Sequence, residues 1–236
     1  MRRMLLAALA GAAVLSIPAT ASAAAVTLSV KTERGYVVSS GKKAGVPAYK
    51  ALYRWSVQFR GTVVNDAGVP ADGAQVTLVG VEPDGTAKAL GTPHLTFSDG
   101  TYSASFEADH NRQYYVHVDA NPAIGVTAVD SARAVVGAAP RIEDTSPATS
   151  PAAFYPIKGK VQVPNASHAG AVVLQRRDGK RWRMVSKKTL QKGGGYGFHV
   201  RVTSHAWTIF RVTFVPKGDG AKLYVTNALL FRVRKQ

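Results

Sequence analysis

Arg176, Arg177, Lys180, Arg181 and Arg183 crowd the residues around Asp178-Gly179, with Trp182 set among them. Lys187, Lys188 and Lys192 follow, and Arg201 and Arg211 recur farther along. Cations at this density suit multivalent binding of phosphate or carboxylate groups, with counterion release and a steep salt dependence. An indole between guanidiniums can stack on a sugar or a base, or serve the fold instead. The chain has 236 residues, with 30 Lys plus Arg against 14 Asp plus Glu. Residues 24–138 carry 10 of each sign, whereas residues 139–236 carry 18 basic and 4 acidic side chains. The resulting +14 works against compactness through self-repulsion, and an anionic partner relieves it. A solvated cationic face without a dedicated ligand is the other reading of the same residues.

Other chemistry finds little support. His94, His110, His117, His168, His199 and His205 fall in no compact ligand spacing. The absence of cysteine removes thiolate zinc sites, disulfides and cysteine nucleophiles. No nucleophile elbow, phosphate-binding loop or dinucleotide fingerprint occurs. Asp66, Asp72, Asp84, Asp99, Asp178 and Asp219 sit in turn signatures, where bonding to neighbouring backbone explains them without a pair of hydrolytic carboxylates. A non-enzymatic protein with no metal and no cofactor is the expectation. No recognition helix for sequence-specific nucleic-acid reading is visible.

The elements that must carry these groups are strands. Alternation of apolar and polar residues dominates, punctuated by turns such as Pro83-Asp84-Gly85, Ser98-Asp99-Gly100 and Arg177-Asp178-Gly179. Tyr53, Trp55, Val57 and Phe59 are expected along one long strand that Val63 continues. Val76 with Leu78, Tyr102 with Ala104 and Phe106, and Tyr114 with Val116 and Val118 supply further inward rows. In the second half Val161, Val172, Leu174, Tyr196, Phe198, Val200, Phe210, Val212 and Phe214 do the same.

Gly61-Thr62-Val63 corresponds to Gly159-Lys160-Val161, Gly73–Leu78 to Gly170–Leu174, and Gly100-Thr101-Tyr102 to Gly195-Tyr196. Tyr114–Val118 corresponds to Phe210–Phe214, and Val129 to Val225. The ordered, nearly constant spacing argues for one unit written twice; strand rhythm common to any two sandwiches is the alternative. Gly41–Lys50 is an insertion in the first unit, either a functional loop or an ordinary hairpin.

Met1–Ala23 reads as a cleavable signal segment. It has basic Arg2 and Arg3, an apolar run too short to span a bilayer, and small residues at Ala21-Ser22-Ala23. The expected organisation is a signal peptide at 1–23, one sandwich at 24–138, a Pro/Ser/Thr-rich linker with a weak first strand at 139–151, and a basic sandwich at 152–236.

Gly159-Lys160-Val161, Val172–Arg177, Trp182, Gly195-Tyr196-Gly197-Phe198 and Phe210-Arg211-Val212 together resemble the immunoglobulin-like β-sandwich repeats of secreted and surface proteins from high-GC Gram-positive bacteria. The first unit, with Gly73–Leu78 and Asp99–Tyr102, is similar to the same group and to carboxypeptidase-regulatory and collagen-adhesin B-type modules. The resemblance covers most of the chain after Ala23. It implies spacer, display or binding roles, and its motifs are turns and core positions, which specify a fold rather than an activity.

The fold expected is therefore all-β, two tandem Ig-like antiparallel sandwiches after a cleavable signal segment. The product is expected to be secreted, with association to the cell wall, and to have no transmembrane segment. Its cationic set would bind anionic cell-wall or matrix polymers. The alternative is a specific protein partner bound through the first domain.

Overall fold

The computed structural model describes residues 23–31, 37–43, 45–146, 154–163, 170–190, 193–203, 205–217 and 227–234. The expected signal segment up to Ser22, and Lys192, lie outside them. The described chain is all-β. A single 3-10 turn, Pro122–Ile124, is its only helical element. No described helix is long and apolar enough to cross a membrane.

The first half holds twelve strands: β1 (Ala25–Val26), β2 (Ser29–Lys31), β3 (Val37–Lys43), β4 (Val46–Leu52), β5 (Ser56–Val64), β6 (Gln75–Val81), β7 (Ala87–Ala89), β8 (His94–Leu95), β9 (Thr101–Glu107), β10 (Arg112–Val118), β11 (Val129–Asp130) and β12 (Ala134–Ala139). The second holds β13 (Arg141–Asp144), β14 (Phe154–Gln162), β15 (Gly170–Asp178), β16 (Arg181–Thr189), β17 (Gly195–Arg201), β18 (Thr208–Pro216) and β19 (Asn227–Val233). Among the described residues, every strand pairing joins strands on the same side of Pro140.

The two halves repeat one pairing scheme. One sheet pairs β9 with β5 in the first half and β17 with β14 in the second. The other runs β7–β6–β10–β12 in the first half and β16–β15–β18–β19 in the second. Gly61–Val63 and Gly159–Val161 lie in β5 and β14, and Tyr114–Val118 and Phe210–Phe214 lie in β10 and β18. Period-2 alternation sets the inner faces. Phe59, Tyr114, Val116, Ile157, Leu174, Phe198, Val212 and Phe214 are fully buried. Phe59 and Tyr114 pack with ring centroids 4.7 Å apart.

Two local expectations change, and one open alternative resolves to a hairpin. The strand expected from Tyr53 onward begins at Ser56, because Arg54 takes φ 60° and the chain turns there, with Trp55 N–H donating to the Leu52 carbonyl. This turn carries the chain from the sheet containing β4 to the one containing β5. Gly41–Lys50 is the end of the β3–β4 hairpin, and β4 continues into parallel pairing with β12. Ala139, placed in the linker from sequence, is the last paired residue of β12, opposite Leu52. Arg141–Asp144 then pairs with β14.

Candidate functional site

β15 and β16 form a hairpin in which Asp178 opposes Arg181, so its two turn residues are Gly179 and Lys180. Sequence placed the turn at Asp178-Gly179. Instead Gly179 occupies the first central position with φ 57°, the glycine position of a type II′ turn, and Asp178 ends the strand. The pairing register skips Val185, an extra residue that bends β16, so Leu174 opposes Ser186 and Gln175 opposes Met184. β16 is an edge strand, and its Lys and Arg residues protect that edge from strand addition.

Register sorts the cations onto two sides. The buried side of β15 carries Val172 and Leu174, so Val173, Gln175 and Arg177 face outward. Opposite them stand Lys187, Met184 and Trp182. On β18 and β19 the outward residues are Ile209, Arg211, Thr213, Leu230 and Arg232. One cross-strand row therefore reads Met184–Gln175–Arg211–Leu230, and the next reads Trp182–Arg177 with Ile209–Arg232. Arg176, Arg181, Arg183 and Lys188 lie on the other side of the hairpin. Arg176, Arg177, Lys180, Arg181, Arg183 and Lys187 are exposed, and Asp178 is the only carboxylate in the hairpin.

Several cations have partners. The Arg183 Nε lies 2.7 Å from the Asp178 carboxylate in an exposed pair. The Arg177 Nε donates to the Gly179 carbonyl at 3.1 Å. Arg211 stands on the outward face and is half-buried there. Its Nε donates to the Gln175 Oε1 at 2.6 Å, and its guanidinium lies 4.4 Å from the Trp182 ring centroid. One face of the Trp182 ring is thus already covered from within the protein. The Lys188 ammonium donates to the Gly197 carbonyl at 2.6 Å and lies 5.5 Å from the Phe198 ring. That bond directs it over the sandwich rim. Arg201 stands on β17 in the opposite sheet, so the structure does not bring it to the cluster. Lys192 lies outside the described residues.

Trp207, just before β18, was not singled out from sequence. It is 58% exposed and stacks on the Arg234 guanidinium at 4.7 Å. With Arg176, Arg177, Thr208 and Ile209 it lines a cleft of about 370 Å³ at the hairpin end. The sequence signal was the Trp/Arg pairing itself, split between the residue before β18 and the residue after β19.

The first unit holds a second polar cluster that sequence reasoning missed. The Arg112 side chain is 8% exposed; its Nε donates to the Glu82 Oε1 at 2.9 Å and its Nη1 lies 3.0 Å from the Asp109 Oδ1. His110 Nε2 hydrogen-bonds the other Glu82 oxygen. The Arg112 guanidinium also lies 5.2 Å from the Phe106 ring centroid. Burial alone would raise the Glu82 carboxyl, but the His110 hydrogen bond and the Arg112 and His110 charges hold it below the usual carboxylate range. The available signal was Arg112 itself, at an inward position in phase with Tyr114, Val116 and Val118. Beside it a groove of about 580 Å³ has Val46, Val81, Tyr115 and Val135 in its lining, with Lys43 and Arg133 also contributing.

Among the described residues, no group of three or more His, Asp and Glu is placed to hold a metal ion. No protein-family model matches the sequence, and comparison with curated proteins finds no match.

Proposed function

We propose that the chain is an exported, non-enzymatic, surface-associated member of the tandem bacterial Ig-like repeats, whose second sandwich docks electrostatically on anionic cell-wall or matrix polymers. The β15–β16 hairpin carries this reading: seven exposed cations, Arg176, Arg177, Lys180, Arg181, Arg183, Lys187 and Lys188, stand around one carboxylate, Asp178. Neutralising them with polymer phosphates or carboxylates releases condensed counterions. The repeated pairing scheme on either side of Pro140 supports the tandem-repeat reading.

Retention on immobilised polyphosphate across a salt series is the test. Replacing Arg176, Arg177, Arg181 and Arg183 together by Gln should lower the slope of log affinity against log salt by about three. Arg201→Gln should leave it unchanged, because that residue lies on the opposite sheet. Equal slopes for both variants discard the hairpin as the docking element.

The groove beside the β3–β4 hairpin favours a second reading, a specific protein partner bound through the first sandwich. The apolar part of its mixed lining, Val46, Val81, Tyr115 and Val135, predicts crosslinks to that partner that persist at high salt and are abolished by deleting 41–45. Crosslinks that vanish with salt exclude it.

A further inference from the structure

The outer face of the β16–β15–β18–β19 sheet is more than cationic. Met184 is 67% exposed and Leu230 is 62% exposed, and the register sets both in one row with Gln175 and Arg211 between them. Arg177 and Arg232 flank this row on one side and Lys187 on the other. Among its described residues this face holds no carboxylate. The exposed Trp207 stands at the hairpin end beside Arg177.

We infer that this face docks on a lipid bilayer carrying anionic headgroups. A soluble polyanion meets the cations alone and offers nothing to Met184 or Leu230. A bilayer surface supplies both layers. Headgroup phosphates take the guanidiniums and ammoniums, while the acyl boundary takes thioether, leucine and indole. Indole rings settle at that boundary because one part is apolar and the N–H remains hydrated. Four strands about 4.8 Å apart, with about 7 Å between successive outward residues, give a patch wide enough to lie across several headgroups. The missing carboxylates remove the repulsion that an anionic surface would otherwise meet. The inference shares its cations with the polymer reading and adds an apolar component that polymer binding does not use.

The test uses the protein lacking Met1–Ala23, because that apolar segment would itself partition into lipid; every described strand begins after it. Binding is measured to phosphatidylcholine vesicles with and without phosphatidylglycerol, and in parallel to polyphosphate. The expected result is binding to anionic vesicles, with quenching of tryptophan fluorescence by lipids brominated near the headgroup. Replacing Met184 and Leu230 together by Ser should weaken vesicle binding by at least about tenfold and leave polyphosphate retention unchanged. Both side chains are exposed, so an unchanged thermal midpoint confirms the fold. Vesicle binding untouched by the double variant, equal binding to neutral vesicles, or absence of quenching overturns the inference. Retention on polyphosphate without vesicle binding overturns it while the polymer reading stands. Failure on both surfaces ends both.

Discussion

Gly61 and Tyr102 face each other across β5 and β9, and the phenol reaches past the glycine to donate to the Thr27 carbonyl at 2.5 Å. The second unit repeats this clasp. Gly159 faces Tyr196, whose hydroxyl donates to the Glu143 carbonyl at 3.0 Å. A Cβ on either glycine would overlap both the carbonyl oxygen and the tyrosine hydroxyl. The first clasp holds the stretch between β1 and β2, and the second holds β13, each against the rest of its sandwich.

Gly61→Ala and Gly159→Ala should each cost about 1–3 kcal/mol, since the obstruction is backbone and cannot rotate away. Tyr102→Phe and Tyr196→Phe should each cost about 1 kcal/mol, by removing a hydrogen bond to a part-buried carbonyl. Urea midpoints with unchanged slopes measure both. A neutral glycine variant would show that the clasped segment is loosely held.

The same tyrosines set an alkaline limit. Burial raises the Tyr102 and Tyr196 hydroxyls well above their ordinary range, with Asp144 adding to the effect on Tyr196. Tyr114 is pushed up to about 12, chiefly by burial. A phenol raised in the folded state contributes stability that is whole below its unfolded value of about 10 and lost as pH rises through the folded values. Phenolate absorbance from these three should therefore appear together with unfolding. Early, non-cooperative ionisation of all tyrosines would contradict their burial.

Glu82 sets an acid limit with the opposite sign. Its carboxyl is depressed despite burial, because His110 and Arg112 hold the charged form. Its contribution is present above the unfolded carboxylate value of about 4.3 and lost as pH falls through the lower folded one. Glu82→Gln should destabilise the protein at neutral pH and flatten its acid unfolding curve. Arg112→Met should cost about 1–3 kcal/mol, since it leaves the part-buried Glu82 carboxylate with His110 as its remaining charged partner. An acid limb unaltered in Glu82→Gln would move that dependence to other carboxylates.

Asp66 bears on processing. Its Oδ1 accepts from the Ala24 backbone N–H at 2.7 Å and from the Thr127 hydroxyl at 2.8 Å. Cleavage after Ala23 would turn that N–H into an ammonium facing the same oxygen. Asp66→Asn should then destabilise a chain beginning at Ala24 by about 1 kcal/mol more than the full chain, a charge-assisted bond being the stronger. Equal losses in the two chains would show that the new terminus does not seat there.

Strand positions and most of the core were legible because burial on one face imposes period 2. Val57, Phe59, Tyr114, Leu174, Phe198 and Phe214 stand inward as alternation requires. Arg54 broke the pattern where a left-handed residue joins two sheets, which a propensity rule assigns to glycine. The cationic hairpin was readable because its members are consecutive. Arg201 was not separable from Arg211, since alternation gives a side chain's face and not its sheet. The Glu82–His110–Arg112 cluster joins residues 28 and 30 positions apart. Only the β6–β10 register brings those together, and no local spacing announces it.

Ala139 ends the last strand of the first sandwich and Arg141 opens the first strand of the second, so Pro140 is the whole covalent interval. Two Cα steps cannot exceed about 7.6 Å. Immobilising the second sandwich therefore confines the first to its immediate vicinity. Its effective concentration near that surface is fixed by an ångström-scale joint instead of a wandering tether.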